Sequence, residues 1–252
     1  MSTVSQPVLK IAVCDFQVNS EIAVSGPKQD EIHIWRKPLE PESGEVDRLR
    51  RLLSPDELER AARFRFESSR IEYIVSRGTL RTLLGSYVGV SPRKLTFVYS
   101  EYGQPSLALS ESYDQLNFNV AHSGKMALFA LAKGRRIGID VEQLRTDFSV
   151  AEIAERFFSV AERTTLRELP REQQPAAFFR CWTRKEAFIK ALGEGLSHPL
   201  DHFDVSLAAD QPAALLATRP DPNEARSWML CDIQVPTSYA AALAAETKCR
   251  RI

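Results

Sequence analysis

The sequence predicts an α/β (α+β) fold laid out as a pseudo-twofold duplication of two similar halves. Each half is a small, mostly antiparallel sheet with helices, and a ligand cleft lies between them. Three observations carry this expectation. Strand-like and helix-like segments interleave along 252 residues, a length with room for one large domain or two smaller ones. The helical stretch 157–193 repeats an earlier one with an offset of 105, so that Ser54 falls on Ser159, Glu57 on Glu162, Tyr73 on Phe178 and Arg81 on Glu186. A strand-like segment follows each helical stretch, KLTFVYS (94–100) and HFDVSLAA (202–209), and SYAAALAAE (238–246) echoes KMALFALAK (125–133). The halves are taken as residues 1–120 and 121–252, and a cleft between them is the expected ligand position.

In chain order, LKIAVCDF (9–16) and EIHIWRK (31–37) alternate as strands do, and KPLEPESGE (37–45) is a loop. From Ser54 the apolar residues take helical spacing. Ser54 suits an N-cap and Pro55 the first helical position, and two helices with a break near 66–69 are expected. EYGQPSL (101–107) is a turn containing Gly and Pro. NFNVAH (117–122), MALFALA (126–132) and IGIDVE (137–142), joined by short turns, predict an antiparallel meander.

Lys plus Arg equals Asp plus Glu at 33 each, so no overall field draws the chain to nucleic acid or to an anionic membrane. A bound phosphate must be met by a local cluster. Cys14, Cys181, Cys231 and Cys249 form no C-x-x-C pair, which argues against a zinc site or a disulfide framework and for reduced thiols. The absence of a signal-like opening and of long apolar runs leads to the expectation of a cytoplasmic protein without a membrane partner.

Asp140 and Glu142 sit two residues apart on one strand and therefore share a face, and His122 ends the first meander strand at the same end. On the second-half helix, Trp182, Glu186 and Lys190 follow at i, i+4 and i+8 beside an apolar face, where an i,i+4 ion pair between Glu186 and Lys190 is the plain reading. Three carboxylates, one approaching from across the halves, describe a magnesium site, because that ion prefers hard oxygen ligands and keeps part of its water shell.

FNVAHSG, GIDVE, RFFSVAE and WTRKEAFIKALGEGL, in this order and spacing, resemble the Sfp-type 4′-phosphopantetheinyl transferases. The likeness extends back through LSPDELERAARF and EYGQPSL and covers about residues 50 to 205. It implies transfer of the phosphopantetheine arm of coenzyme A to a serine of an apo acyl or peptidyl carrier protein, releasing adenosine 3′,5′-bisphosphate. Mg2+ would be held by Asp140, Glu142 and Glu186. Catalytic roles fall to Glu186, Lys190 and His122, with Glu186 or a metal-bound water taking the serine proton. The coenzyme A site implied consists of Arg60, Arg63, Arg77, Gly103, Gln104, Pro105, Ala121, His122 and Lys190. Three positions depart from the family pattern: Glu57 stands where a basic residue is usual, Gln104 where lysine is common and Ala121 where serine is common. Glu162 matches a family acid for which helix capping is an equal explanation. Arg180 and Arg184 are the candidate rim for an acidic carrier helix. With both halves in one chain, a monomer is expected. Two alternatives stay open here: a non-catalytic relative that binds coenzyme A or a carrier, and a magnesium-dependent phosphohydrolase or nuclease using the same acids.

Overall fold

The computed structural model of the chain describes residues 9–17, 26–108 and 115–248. Cys249, counted among the thiols above, lies outside the described residues, while Cys14, Cys181 and Cys231 are free.

Each half begins with strands and closes on a long helix. In the first, β1 (Lys10–Asp15) and β2 (Glu31–Pro38) are followed by α1 (Glu45–Arg50), α2 (Pro55–Ala62) and α3 (Glu67–Val88), then the short pair β3 (Phe97–Tyr99) and β4 (Pro105–Leu107), and the hairpin β5 (Leu116–Ser123) and β6 (Met126–Lys133). In the second, β7 (Ile137–Gln143) precedes α4 (Val150–Phe157), α5 (Val160–Glu168), α6 (Gln174–Leu192), β8 (Phe203–Val205), β9 (Leu215–Thr218), β10 (Trp228–Asp232) and β11 (Tyr239–Glu246). Two main sheets result, ordered β1-β2-β6-β5 and β10-β11-β7.

The period-2 pattern of the strands explains the layers. Ile32, Ile34, Leu128, Ala130 and Ala132 of the first sheet meet Ile137, Ile139, Val141, Leu243 and Ala245 of the second in one buried core. The alternate residues Trp35, Phe129 and Leu131 face α3, and Ala242 and Ala244 face α6. The order is helix, sheet, sheet, helix, and each fully buried Leu or Ile in the middle contributes roughly 1.5–3 kcal/mol.

The offset of 105 is visible in three dimensions. Ser54 and Ser159 are both N-caps with a capping box, closed by Glu57 and Glu162 three residues on. Both glutamates are also buried against the long helix of their own half. Glu57 pairs with Arg77 at 2.5 Å and Arg81 at 2.6 Å, and Glu162 with Lys185 at 2.8 Å.

Two expectations are corrected. The three-strand meander does not form, because β6 is paired on both edges, by β2 and β5, and β7 crosses to pair with β11. The crossing is fixed by the buried guanidinium of Arg135, which donates to the carbonyls of Gln29, Glu246 and Thr247. The seam between the sheets therefore falls at 134–136 and not at residue 120, since β5 and β6 remain with the first sheet. α1 and α4, not anticipated from the sequence, pack on α3 and α6.

Candidate active site

Helix α6 lies directly on β7 because Gly138 has no side chain. A Cβ there would collide with backbone atoms of Ala187 and Ala191. The close approach sets Asp140, next outward on the same face of β7, against the α6 stripe. Lys190 Nζ donates to Asp140 Oδ1 at 2.6 Å, while Asp140 Oδ2 is buried without a hydrogen-bond partner. The helix ion pair expected between Glu186 and Lys190 is thus replaced by one across the helix–strand interface.

The acids perturb one another. Burial pushes the Asp140 carboxyl up to about 7 against the pull of Lys190, and Glu142 and Glu186 add to the rise. Glu186 is also raised, first by burial, with Lys190 opposing and Glu142 reinforcing. Glu142 accepts from the Ser123 hydroxyl at 2.7 Å. Among the described residues no three His, Cys, Asp or Glu side chains are drawn into a ready-made chelate. The three carboxylates are neighbours, with Lys190 supplying the positive charge.

A cleft of about 290 Å³ opens beside them, with Glu186 and Lys190 of α6 and the capping Gly193 on one wall and Gly103, Gln104 and Pro105 of the first half on the other. Gly103 takes a left-handed φ of 78° in the turn closed by its N–H to Ser100, and Gln104 Nε2 reaches over to donate to the Lys190 carbonyl at 3.3 Å. A larger hollow of about 510 Å³ lies on α1 and α2, lined by Arg50, Arg51 and Arg93, with none of the coupled carboxylates in it. The smaller cleft is the one bordered by Glu186 and Lys190.

His122 is exposed at the first turn. The packed surroundings of its ring and then the Lys190 charge hold its pKa below the usual imidazole value, with Glu72 and Glu142 pulling the other way. Arg60 lies exposed on α2 over the Tyr73 ring at 5.5 Å, and Arg63 is exposed and paired with Glu59 at 2.5 Å. Arg77 is different: it is buried, held by Glu57 and by the Tyr99 hydroxyl at 2.5 Å. Ala121 points into the core between the sheets and is not part of the cleft wall.

Two models of known families match, "4′-phosphopantetheinyl transferase superfamily" over residues 136–244 and "4′-phosphopantetheinyl transferase, N-terminal" over 37–133. The chain is 39% identical over 215 residues to the 4′-phosphopantetheinyl transferase HetI of Nostoc sp., covering 85% of this chain and 87% of that one. The chain belongs to the 4′-phosphopantetheinyl transferase superfamily. Among its other relatives are the 4′-phosphopantetheinyl transferase Sfp of Bacillus subtilis, 32% identical over 69% of this chain and 74% of that one, and the L-aminoadipate-semialdehyde dehydrogenase-phosphopantetheinyl transferase of Homo sapiens, 30% identical over 77% and 67%.

Several motif residues of the transferase prove structural. Glu162 lies in the interior, where it accepts from the Ser159 and Val205 backbone N–H groups and from Lys185. Arg184, the candidate carrier contact, is fully buried and bonds Asp232 and Ser206, and Arg180 donates to the Leu207 carbonyl. Sequence reasoning missed Asn119 and Ser123, whose side chains meet β7 at Ile139 and Gln143. The available signal was two polar residues four apart, and so on one face of β5. No helix among the described residues is long and apolar enough to cross a membrane.

Proposed function

We propose that this transferase moves the 4′-phosphopantetheine arm of coenzyme A onto a serine hydroxyl of an apo acyl or peptidyl carrier protein, with Mg2+ held by Asp140, Glu142 and Glu186. The observation that supports this most is Asp140: a buried carboxyl with one unpartnered oxygen, pushed to about 7 in part by two neighbouring acids. Such a cluster is unfavourable by itself and is relieved by a hard divalent cation, for which carboxylate oxygens are fitting ligands. When bound, the ion supplies charge neutralisation at the pyrophosphate.

The chain's own residues do the rest. Glu186, on the wall of the cleft, takes the serine proton as the serine oxygen attacks the phosphorus that carries the pantetheine arm. The phosphorus–oxygen bond to the nucleotide breaks, and adenosine 3′,5′-bisphosphate leaves with the electron pair. Lys190, half-exposed at the cleft, gives a second positive charge to the phosphate oxygens. His122, its pKa lowered, is neutral near pH 7 and serves as a hydrogen-bond donor to phosphate. Arg60 on α2 and Arg63 at its C-terminal cap, both exposed, meet the 3′-phosphate, while Arg77 underpins that patch from the interior. Gly103, Gln104 and Pro105 shape the wall along which the pantetheine arm runs. The reaction belongs in the cytoplasm, where the three described free thiols stay reduced.

The test is the intact mass of an apo carrier protein after incubation with the transferase, coenzyme A and Mg2+. A gain of one phosphopantetheinyl unit, abolished by chelating the metal, is expected. An unmodified carrier, tried across fatty acid, polyketide and peptide synthase types, contradicts the reading.

A further inference from the structure

The seam between β5 and β7 suggests how the first half controls an acid of the second. Leu144 N–H donates to the Ser238 carbonyl and Glu246 N–H to that of Arg136, so the even-numbered residues of β7 exchange backbone bonds with β11. The N–H groups of Ile139 and Gln143 therefore point away from β11, toward β5. There they are accepted by side chains, Asn119 Oδ1 at 3.0 Å and Ser123 Oγ at 3.1 Å. Residues 119 and 123 meet 139 and 143 with the same offset, so β5 lies alongside β7 in parallel, with two side chains replacing a backbone ladder.

Ser123 does more than close the seam. A serine hydroxyl has one proton, and because its oxygen already accepts the Gln143 N–H, that proton is directed to Glu142 Oε2 at 2.7 Å. The turn that carries Ser123 is itself fastened. Gly124 has a φ of 52°, a Cβ there would strike the Gln143 side chain, and Lys125 N–H donates to the Tyr239 hydroxyl at 3.0 Å. Tyr239 is the residue opposite Gln143 on β11.

We propose that Ser123 is a positioning residue for the cation site: it holds one oxygen of Glu142 so that the other is presented to the metal. This rests on the reading above, in which Glu142 is a cation ligand. Groups that hold a metal ligand in place typically change metal affinity 10–100-fold when removed.

The test uses the whole chain and Mn2+ as probe, with the dissociation constant measured by isothermal titration for the wild type and for Ser123→Ala, Ser123→Cys, Ser123→Thr and Glu142→Gln, beside thermal melts of each. Ser123→Ala and Ser123→Cys, the latter nearly isosteric with a weak donor, are expected to bind about tenfold more weakly. Ser123→Thr, which keeps the hydroxyl, is expected to bind like the wild type. A role confined to holding the seam together would lower the melting temperature without this division between donors and non-donors. Wild-type affinity in Ser123→Cys overturns the proposal even if Ser123→Ala fails to fold. Wild-type affinity in Glu142→Gln overturns the cation reading beneath it, a distinct result.

Discussion

Asp140 is an acid whose surroundings oppose the ionised form that a metal would need. Its pKa of about 7 stands above the ordinary 3.8, so its neutral form is favoured in the fold. The stability this contributes is fully present below about pH 4 and is lost as pH rises through about 7. A cation binds only the ionised form, so proton and metal compete. Mg2+ affinity is expected to be about tenfold weaker at pH 6 than at pH 8, with close to one proton released on binding at the lower pH; calorimetry in buffers of different ionisation enthalpy measures both. Removing the metal at pH 8 is expected to lower the melting temperature, and less so at pH 6. That Asp140 and Glu142 share one face of a strand, and Glu186 and Lys190 one stripe of a helix, was legible in the sequence because each spacing is local. The partner of Lys190 was not, since it depends on how closely α6 lies on β7. Nor was the burial of Arg77 and Arg184: an arginine on a helix reads alike whether it faces water or a buried carboxylate.

At the scale of elements, the two capping boxes show local signals reused for tertiary purposes. Burial alone would raise the Glu57 carboxyl, but the Arg81 hydrogen bond, the Arg77 charge and the Ser54 N–H together hold it below its usual 4.5. A depressed pKa stabilises above about pH 4.5 and the gain is lost as pH falls through the folded value. Glu57→Gln is expected to cost about 3 kcal/mol at pH 7, because Arg77 and Arg81 are left buried without their counter-charge. It should also flatten the decline in stability below pH 4.5; urea unfolding across that range reads both effects. Gly138→Ala forces a methyl group into the α6 backbone and is expected to cost about 1–3 kcal/mol while displacing Asp140 from Lys190. Thermal melts together with a Mn2+ titration test it. The caps and the long helices could be read from the sequence, whereas the strand partners could not. IGIDVE looks like the third strand of a meander because a short turn precedes it. Its pairing with β11 joins residues about a hundred positions apart, a choice made by the global packing of two apolar sheet faces.

Across the whole molecule, the duplication was legible as an offset of 105 and is matched by paired caps, long helices and sheets. The dividing point was not, because β5 and β6 have the composition of either half. Both halves contribute to the cleft within one chain, so the transferase is expected to elute as a monomer of 28.4 kDa in gel filtration, with or without coenzyme A. We propose that acids of the second half, at a cleft walled by the first, perform the transfer. Its most direct test is the single-turnover rate of carrier modification by Glu186→Gln beside the wild type, at saturating coenzyme A and increasing Mg2+. A rate lower by about 10²-fold or more that excess Mg2+ does not restore is predicted for a lost proton acceptor. A rate equal to that of the wild type would contradict the account.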